Sequence, residues 1–238
     1  MSMSTSIHRF GLYTALVGLA GVTVLSQLTQ LAANTLPSAR GRSLAERESL
    51  IAQQPDCNNP PTQTVMNLCA GLSYEKADRA LNRAYQALVP NLAASRRQKL
   101  TDAQLRWLKF RDTECAFAGS QVEGGSMQPM IVSGCKGHVT QQRTTDLEAY
   151  LSGQKRASGG NYKVADRQLN QLYQKLRQGL EPDRKRKLET AEFAWIAFRD
   201  SACGFEASGG GNAARNQCLM RLTNHRNQQL QGYLAVVR

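Results

Sequence analysis

At 238 residues the chain has room for one large domain or two small ones, and its six cysteines include no Cys-x-x-Cys pair. Its three histidines are not placed as partners for those cysteines, which argues against a structural zinc site. The formal charge of +12 favours anionic partners such as acidic glycan, anionic lipid or nucleic acid, with plain solubility as the simpler use of the same charge.

Residues 1–33 read as a secretory signal: one basic residue, Arg9, and no acid, then an apolar run with small residues interleaved over 10–25. The run falls short of the ~20 apolar residues a spanning helix needs, so removal is expected, after Ser26 or Ala33. No cysteine precedes Cys57, which argues against a lipid anchor. The reading places the chain in the periplasm or outside the cell, where disulfides persist and nucleic acid is a poor candidate partner. Residues 34–56 mix Pro, Ser, Arg and Glu and read as a linker with a short helix near 44–51.

A first helical unit spans 57–152. Pro60 and Pro61 exclude a helix interior, and Thr62 caps a segment that reaches Cys69. From Tyr74 the spacing of Ala77, Leu81, Tyr85 and Leu88 predicts an amphipathic helix ending near Pro90. Ser95 caps a second helix whose seam is Leu100, Ala103, Trp107, Phe110 and Glu114, with its apolar side expected on the first helix. Gly119, Gly124 and Gly125 interrupt, and a third helix runs from Met127 or Pro129 to Leu151, with Val139, Leu147, Tyr150 and Leu151 inward.

Residues 153–160, rich in Gly, Ser and basic side chains, read as a short linker, after which the pattern restarts over 161–238. Trp107-x-x-Phe110-Arg111-Asp112-x-x-Cys115 recurs as Trp195-x-x-Phe198-Arg199-Asp200-x-x-Cys203, an offset of 88, and 20 of the 45 positions in 74–118 are identical at that offset. Past the loop the offset becomes 83, pairing Cys135, Thr140, Arg143, Leu147, Tyr150 and Leu151 with Cys218, Thr223, Arg226, Leu230, Tyr233 and Leu234. The chain is therefore a tandem duplication, with a second loop five residues shorter. The fold class expected is all-α: two tandem small antiparallel bundles of about three main helices each, stapled by disulfides.

Duplication also constrains the cysteines. The second unit lacks counterparts of Cys57 and Cys69 but keeps Cys203 and Cys218. Losing one whole bridge leaves the other intact, whereas losing half of each of two crossed bridges strands two thiols. The pairing predicted is Cys57–Cys69, Cys115–Cys135 and Cys203–Cys218; each of the last two would tie the end of a second helix to the start of a third, contributing ~3 kcal/mol in the loop-entropy description.

The Cys57…Cys69 opening, the Ala77-Asp78-x-x-Leu81-Asn82-x-x-Tyr85 helix, the Trp-x-x-Phe-Arg-Asp-x-x-Cys helix and the Cys135-x4-Thr140-x-x-Arg143-x-x-x-Leu147 ending resemble the lysozyme inhibitor LprI-like N-terminal domain family. The resemblance covers 57–152 fully and 161–238 without the first cysteine pair. It implies a small secreted or envelope-associated bacterial helical domain, and lysozyme inhibition as an activity. Glu114, Glu123 and Glu206 are the acids that could contact a basic partner such as lysozyme.

Trp107 and Trp195 lie on the apolar seam and read as core. Asp78, Arg79, Arg111 and Asp112, repeated as Asp166, Arg167, Arg199 and Asp200, read as a polar lock between the first two helices of each unit. Arg184, Lys185, Arg186 and Lys187 form the densest basic run, a solvated helix face or a docking patch for anionic glycan or lipid. No Gly-x-Ser-x-Gly, Cys/His pair, phosphate-cradling loop or selected carboxylate pair occurs, so neither a catalytic site nor a cofactor or metal is expected. The expectation is a non-enzymatic binding protein of the bacterial envelope.

Overall fold

The computed structural model describes residues 55–154 and 160–236. The expected signal, the linker before Pro55 and the middle of the 153–160 linker lie outside the described residues. Among the described residues five α-helices follow one another: α1 (Gln63–Leu88), α2 (Ala94–Gly119), α3 (Gln128–Leu151), α4 (Tyr162–Gln178) and α5 (Pro182–Val236). Single 3-10 turns at Val89–Asn91 and Ser120–Val122 leave α1 and α2. Among the described residues there is no strand.

Thr62 Oγ1 accepts from the Val65 N–H at 3.3 Å and starts α1. The two segments expected on either side of Tyr74 are one helix, because the only breaker between them is Gly71, whose cost of about 1 kcal/mol does not outweigh two flanking apolar turns. In the next helix Ala93, not Ser95, takes the extended cap position, and no side chain caps it. In the fourth, the Asn161 side chain accepts from the Lys163 N–H at 2.9 Å.

The 55-residue α5 holds the counterparts of both α2 and α3. Its two arms, 182–210 and 212–236, meet at Gly211, whose φ of 65° and ψ of −159° only glycine adopts cheaply. The loop of the first copy has contracted in the second to a kink. A disulfide spans each version, Cys115–Cys135 across the loop and Cys203–Cys218 across the kink, with Cα atoms 5.5 and 5.4 Å apart. Cys57–Cys69 ties the segment before α1 back onto that helix.

The seam positions Leu100, Ala103, Trp107, Phe110 and Glu114 are all buried, but not against the first helix as expected. The second helix lies mainly along the first arm of α5 and also contacts α3, while the first helix lies along α3 and the fourth along α5. The α2–α5 pair is antiparallel: Ser201 donates to Asp102 at 2.6 Å, the Phe110 and Phe198 rings stack at 5.9 Å, and Arg184 donates to Ser120 at 3.3 Å. Apolar side chains of both copies form one continuous core, with Trp107, Trp195, Leu147 and Leu230 inside it. Leu151, expected inward, is exposed at the C-terminal end of its helix.

Contacts across the core recur with the copies exchanged. Arg143 lies over Phe198 and Arg226 over Phe110; Arg96 lies over Phe205 and Arg184 over Phe117. An approximate twofold therefore relates the copies, its axis passing between α2 and the first arm of α5. A cavity of about 30 Å³, room for about one water, lies there between Arg143 and Arg226 and their offset-related neighbours.

Candidate functional site

Each Arg-Asp pair of the duplicated motif docks in the same way. The Arg111 guanidinium lies 5.2 Å over the Trp107 ring, bonds Asp112 and reaches Asp78 at 3.6 Å; Arg199 lies 5.0 Å over Trp195, bonds Asp200 and reaches Asp166 at 4.0 Å. The six charged residues come together as two clips holding α1 to α2 and α4 to α5. Arg79 and Arg167 do not join them: Arg79 pairs with Glu75 at 3.5 Å on an exposed surface, and Arg167 is exposed on the fourth helix.

The basic run 184–187 is not one free cationic face. Arg184 turns inward over Phe117, where burial lowers its pKa. Lys187 bridges Glu123 at 2.6 Å and Asp183 at 2.8 Å, and Arg186 pairs with Asp183 at 2.7 Å. Neither Arg184 nor Lys185 makes an ion pair among the described residues. Neighbouring carboxylates one helical turn away disperse the charge that the run concentrates.

The strongest electrostatics lie where the copies differ. Glu114, opposite Ala202 at the 88 offset, is 0% exposed and accepts from Arg226 at 2.7 Å and from Tyr233 at 2.7 Å. Arg226, also 0% exposed, holds Glu192 at 3.0 Å as well. Burial alone would lower the Arg226 pKa, but Glu114 and Glu192 more than offset it, and the net shift is upward. Tyr233 is pushed well up by burial and then by Glu114.

The second network is Glu206, opposite Ala118, with Arg221, opposite His138, and Asp146, opposite Gln229. Arg221 donates to Asp146 at 2.7 Å and to Glu206 at 2.5 Å, and Tyr150 donates to the same Glu206 oxygen at 2.6 Å. Burial opposes the Arg221 charge, the two carboxylates restore it, and its pKa ends raised. Burial, then Asp146 and Glu206, pushes the Tyr150 pKa up.

This second network floors an open groove of about 520 Å³ built by both copies. Arg96 of α2 and Tyr150 of α3 form one side; Phe205, Glu206, Gly209, Ala214 and Arg221 of α5 form the other. Of the three acids expected to offer contacts, Glu114, Glu123 and Glu206, each is already engaged by a cation of this chain. The sequence reading missed Arg96, Tyr150, Asp146 and Arg221 as site residues; the signal available was the difference of Asp146 from Gln229 and of Arg221 from His138, while Arg96 and Tyr150 match Arg184 and Tyr233 and gave none. No group of three or more His, Cys, Asp or Glu side chains that could hold a metal occurs among the described residues.

A family profile described as "Lysozyme inhibitor LprI" matches residues 57–147 and again 150–230. The chain belongs to the lysozyme inhibitor LprI family. The double match repeats the internal duplication, so the groove lies between two LprI units of one polypeptide. An uncharacterised protein of Rhizobium meliloti (strain 1021) is 35% identical over 111 residues, which cover 41% of this chain and 80% of that protein. A crystal structure of an uncharacterised protein from Burkholderia thailandensis superposes with a TM-score of 0.57 at 19% identity, over 78% of this chain and 95% of the other. That likeness concerns the fold alone. No helix among the described residues is long and apolar enough to cross a membrane.

Proposed function

We propose that this LprI protein is a non-enzymatic binding protein of the bacterial envelope, periplasmic or secreted, that holds its partner in the groove between the two units. The observation that carries this reading is the state of the groove's polar groups. Glu206 Oε1 already accepts two hydrogen bonds, Arg221 is held by two carboxylates, and burial favours the neutral Tyr150 phenol. Groups so paired are rigid and preorganised for contact, and poorly placed to move protons during a reaction. Three disulfides and the family membership support an oxidising location.

A second reading, inhibition of a lysozyme, is favoured by the family match. A chain of formal charge +12 is repelled at long range by a basic lysozyme, and its candidate acids are internally neutralised, so a complex would rest on short-range contacts. The exposed, offset-related Leu105 and Phe193, 62% and 72% accessible, offer such contacts. The test is retention of the oxidised protein on lysozyme, on peptidoglycan and on anionic lipid at low and high salt, with lysozyme clearing of cell walls measured in parallel. Salt-resistant retention with slowed clearing, weakened by Phe193→Ser, supports inhibition. Salt-sensitive retention on glycan or lipid, weakened by Arg96→Gln, supports the groove as an envelope-binding site. Retention on none of the three refutes both.

A further inference from the structure

The twofold arrangement supplies a control site inside the same molecule. Where the groove has Glu206, Arg221 and Ala214, the matching place across the axis has Ala118, His138 and Ile131, in a shallower depression of about 360 Å³. Arg184, the counterpart of Arg96, does not line that depression: it is tucked over Phe117 and donates to Ser120. Arg96 faces a cavity instead, and it differs from the other arginine of the groove. Arg221 is neutralised by Asp146 and Glu206, whereas Arg96 makes no ion pair among the described residues and its buried Nε has no hydrogen-bond partner.

Arg96 is nevertheless held in place. Its guanidinium lies 4.9 Å over the face of Phe205, and Gly209 packs so closely behind it that a Cβ there would sit 2.7 Å from Nη2. A guanidinium fixed as a plane with donors unused is preorganised for a planar anion, since two parallel N–H groups match the two oxygens of a carboxylate. The charge count sets the valence. With Arg221 already neutralised by Asp146 and Glu206, Arg96 is the one cation lining the groove without an ion pair among the described residues, and Glu206 would repel a second negative charge brought beside it. The volume is that of a small-molecule site, with Phe205 and Ala214 as apolar wall and Gln154 and Gln217 as amide donors and acceptors.

Resting on the reading of the groove as a binding site, we propose that it takes a small monocarboxylate with a polar body, the chemistry shared by an acidic sugar and a peptide C-terminus. Arg96 receives the carboxylate and the wall of Phe205 and Ala214 receives the body. The test titrates the oxidised full chain with four probes, followed by calorimetry and by the backbone amide resonances of Gly209, Gly210 and Gln217. The probes are glucuronate, glucose, N-acetyl-alanyl-alanine and its C-terminal amide. At least one carboxylate is expected to bind, its neutral counterpart tenfold or more weaker, and the stronger of the two carboxylates identifies the source. Arg96→Gln is expected to lower that affinity about tenfold or more, the exposed neighbour Arg97→Gln to leave it unchanged, and Arg96→Lys to recover part of it.

Thermal unfolding of each variant guards against loss of the Arg96–Phe205 contact as the cause: a variant with native melting that loses the probe supports the site. The assignment is overturned if no probe shifts the three amides, or if Arg96→Gln binds carboxylate as wild type does. If the probes fail while Arg96→Gln still abolishes retention on an envelope component, the carboxylate is wrong and the groove stands. If retention is also untouched, the groove reading itself falls.

Discussion

The Glu114–Arg226 pair joins the copies through charges with no access to water, and its disruption can be worked out beforehand. Arg226→Met leaves Glu114 buried without its cation and Glu192 without its closest partner, so a loss near the upper end of the range for broken buried pairs is expected, about 4–5 kcal/mol. Glu114→Gln keeps an acceptor for Tyr233 and leaves Arg226 on Glu192, so about 3 kcal/mol is expected. The double variant removes both charges and should cost less than the sum of the singles by about 2 kcal/mol. Arg143, the twofold counterpart of Arg226, is the internal comparison. It has no glutamate at the position of Glu114, its two terminal nitrogens have no hydrogen-bond partner, and its ion pair with Asp146 is at 4.0 Å. Asp146 is meanwhile held by Arg221, so Arg143→Met orphans no charge and should cost about 1–2 kcal/mol, mostly packing against Phe198. Urea unfolding with the disulfides intact, followed by circular dichroism and tryptophan fluorescence, measures all four variants. Equal losses for Arg143→Met and Arg226→Met would refute the assignment of the pair as the specific link between the copies.

Three further outcomes follow from the same contacts. Because the second helix buries Trp107 and Phe110 largely against α5, a fragment of residues 55–154 should self-associate or aggregate in light scattering; a monomer unfolding cooperatively would show that one copy carries a sufficient core. Tyr150 and Tyr233 have raised pKa values in the fold and ionise near 10 when unfolded, so above about pH 10 the unfolded chain holds fewer protons; stability, complete below that pH, should fall by up to about 1.4 kcal/mol per pH unit for each tyrosine. Tyr150→Phe with Tyr233→Phe should flatten that alkaline slope in urea midpoints measured from pH 9 to 11, and an unchanged slope would place the titration elsewhere. Gly211→Ala should cost about 1–3 kcal/mol for its left-handed φ, and removing Cys203–Cys218 about 3 kcal/mol more, both read as shifts in melting temperature.

Helix positions were legible because local spacing decides them: the run Leu100, Ala103, Trp107, Phe110 keeps one face apolar whatever it packs against. What that face meets was not legible, since a seam on α2 looks the same whether its partner is α1 or α5. The duplication pointed to two units, while the structure draws apolar faces of both into one core; a repeat in sequence marks a common ancestor of two segments and says nothing about whether their apolar faces are satisfied within one copy or between copies. The Arg111 and Arg199 clips could be anticipated because their partners lie on an adjacent helix at repeated positions. Arg221 with Asp146 could not, because 75 residues separate them and only the fold brings them to 2.7 Å.

The same reasoning bears on where a function could arise. Trp107 and Trp195, and Arg111 and Arg199, identical in both copies, are occupied in equivalent structural roles on both sides of the axis. Positions that differ supply Glu114 to the first network and all three charges of the second: Glu114 against Ala202, Glu206 against Ala118, Arg221 against His138, Asp146 against Gln229. Fusing two copies into one chain removes the requirement that each change be acceptable twice in the same complex, as it must be in a symmetric assembly. One half of the axis could then acquire Glu114 and fix the pairing, and the other could acquire Glu206 and Arg221 beside a kink short enough to leave Arg96 facing a cavity. The groove is thus a product of divergence within a shared core, with the unmodified Phe117–Arg184 contact preserved opposite it.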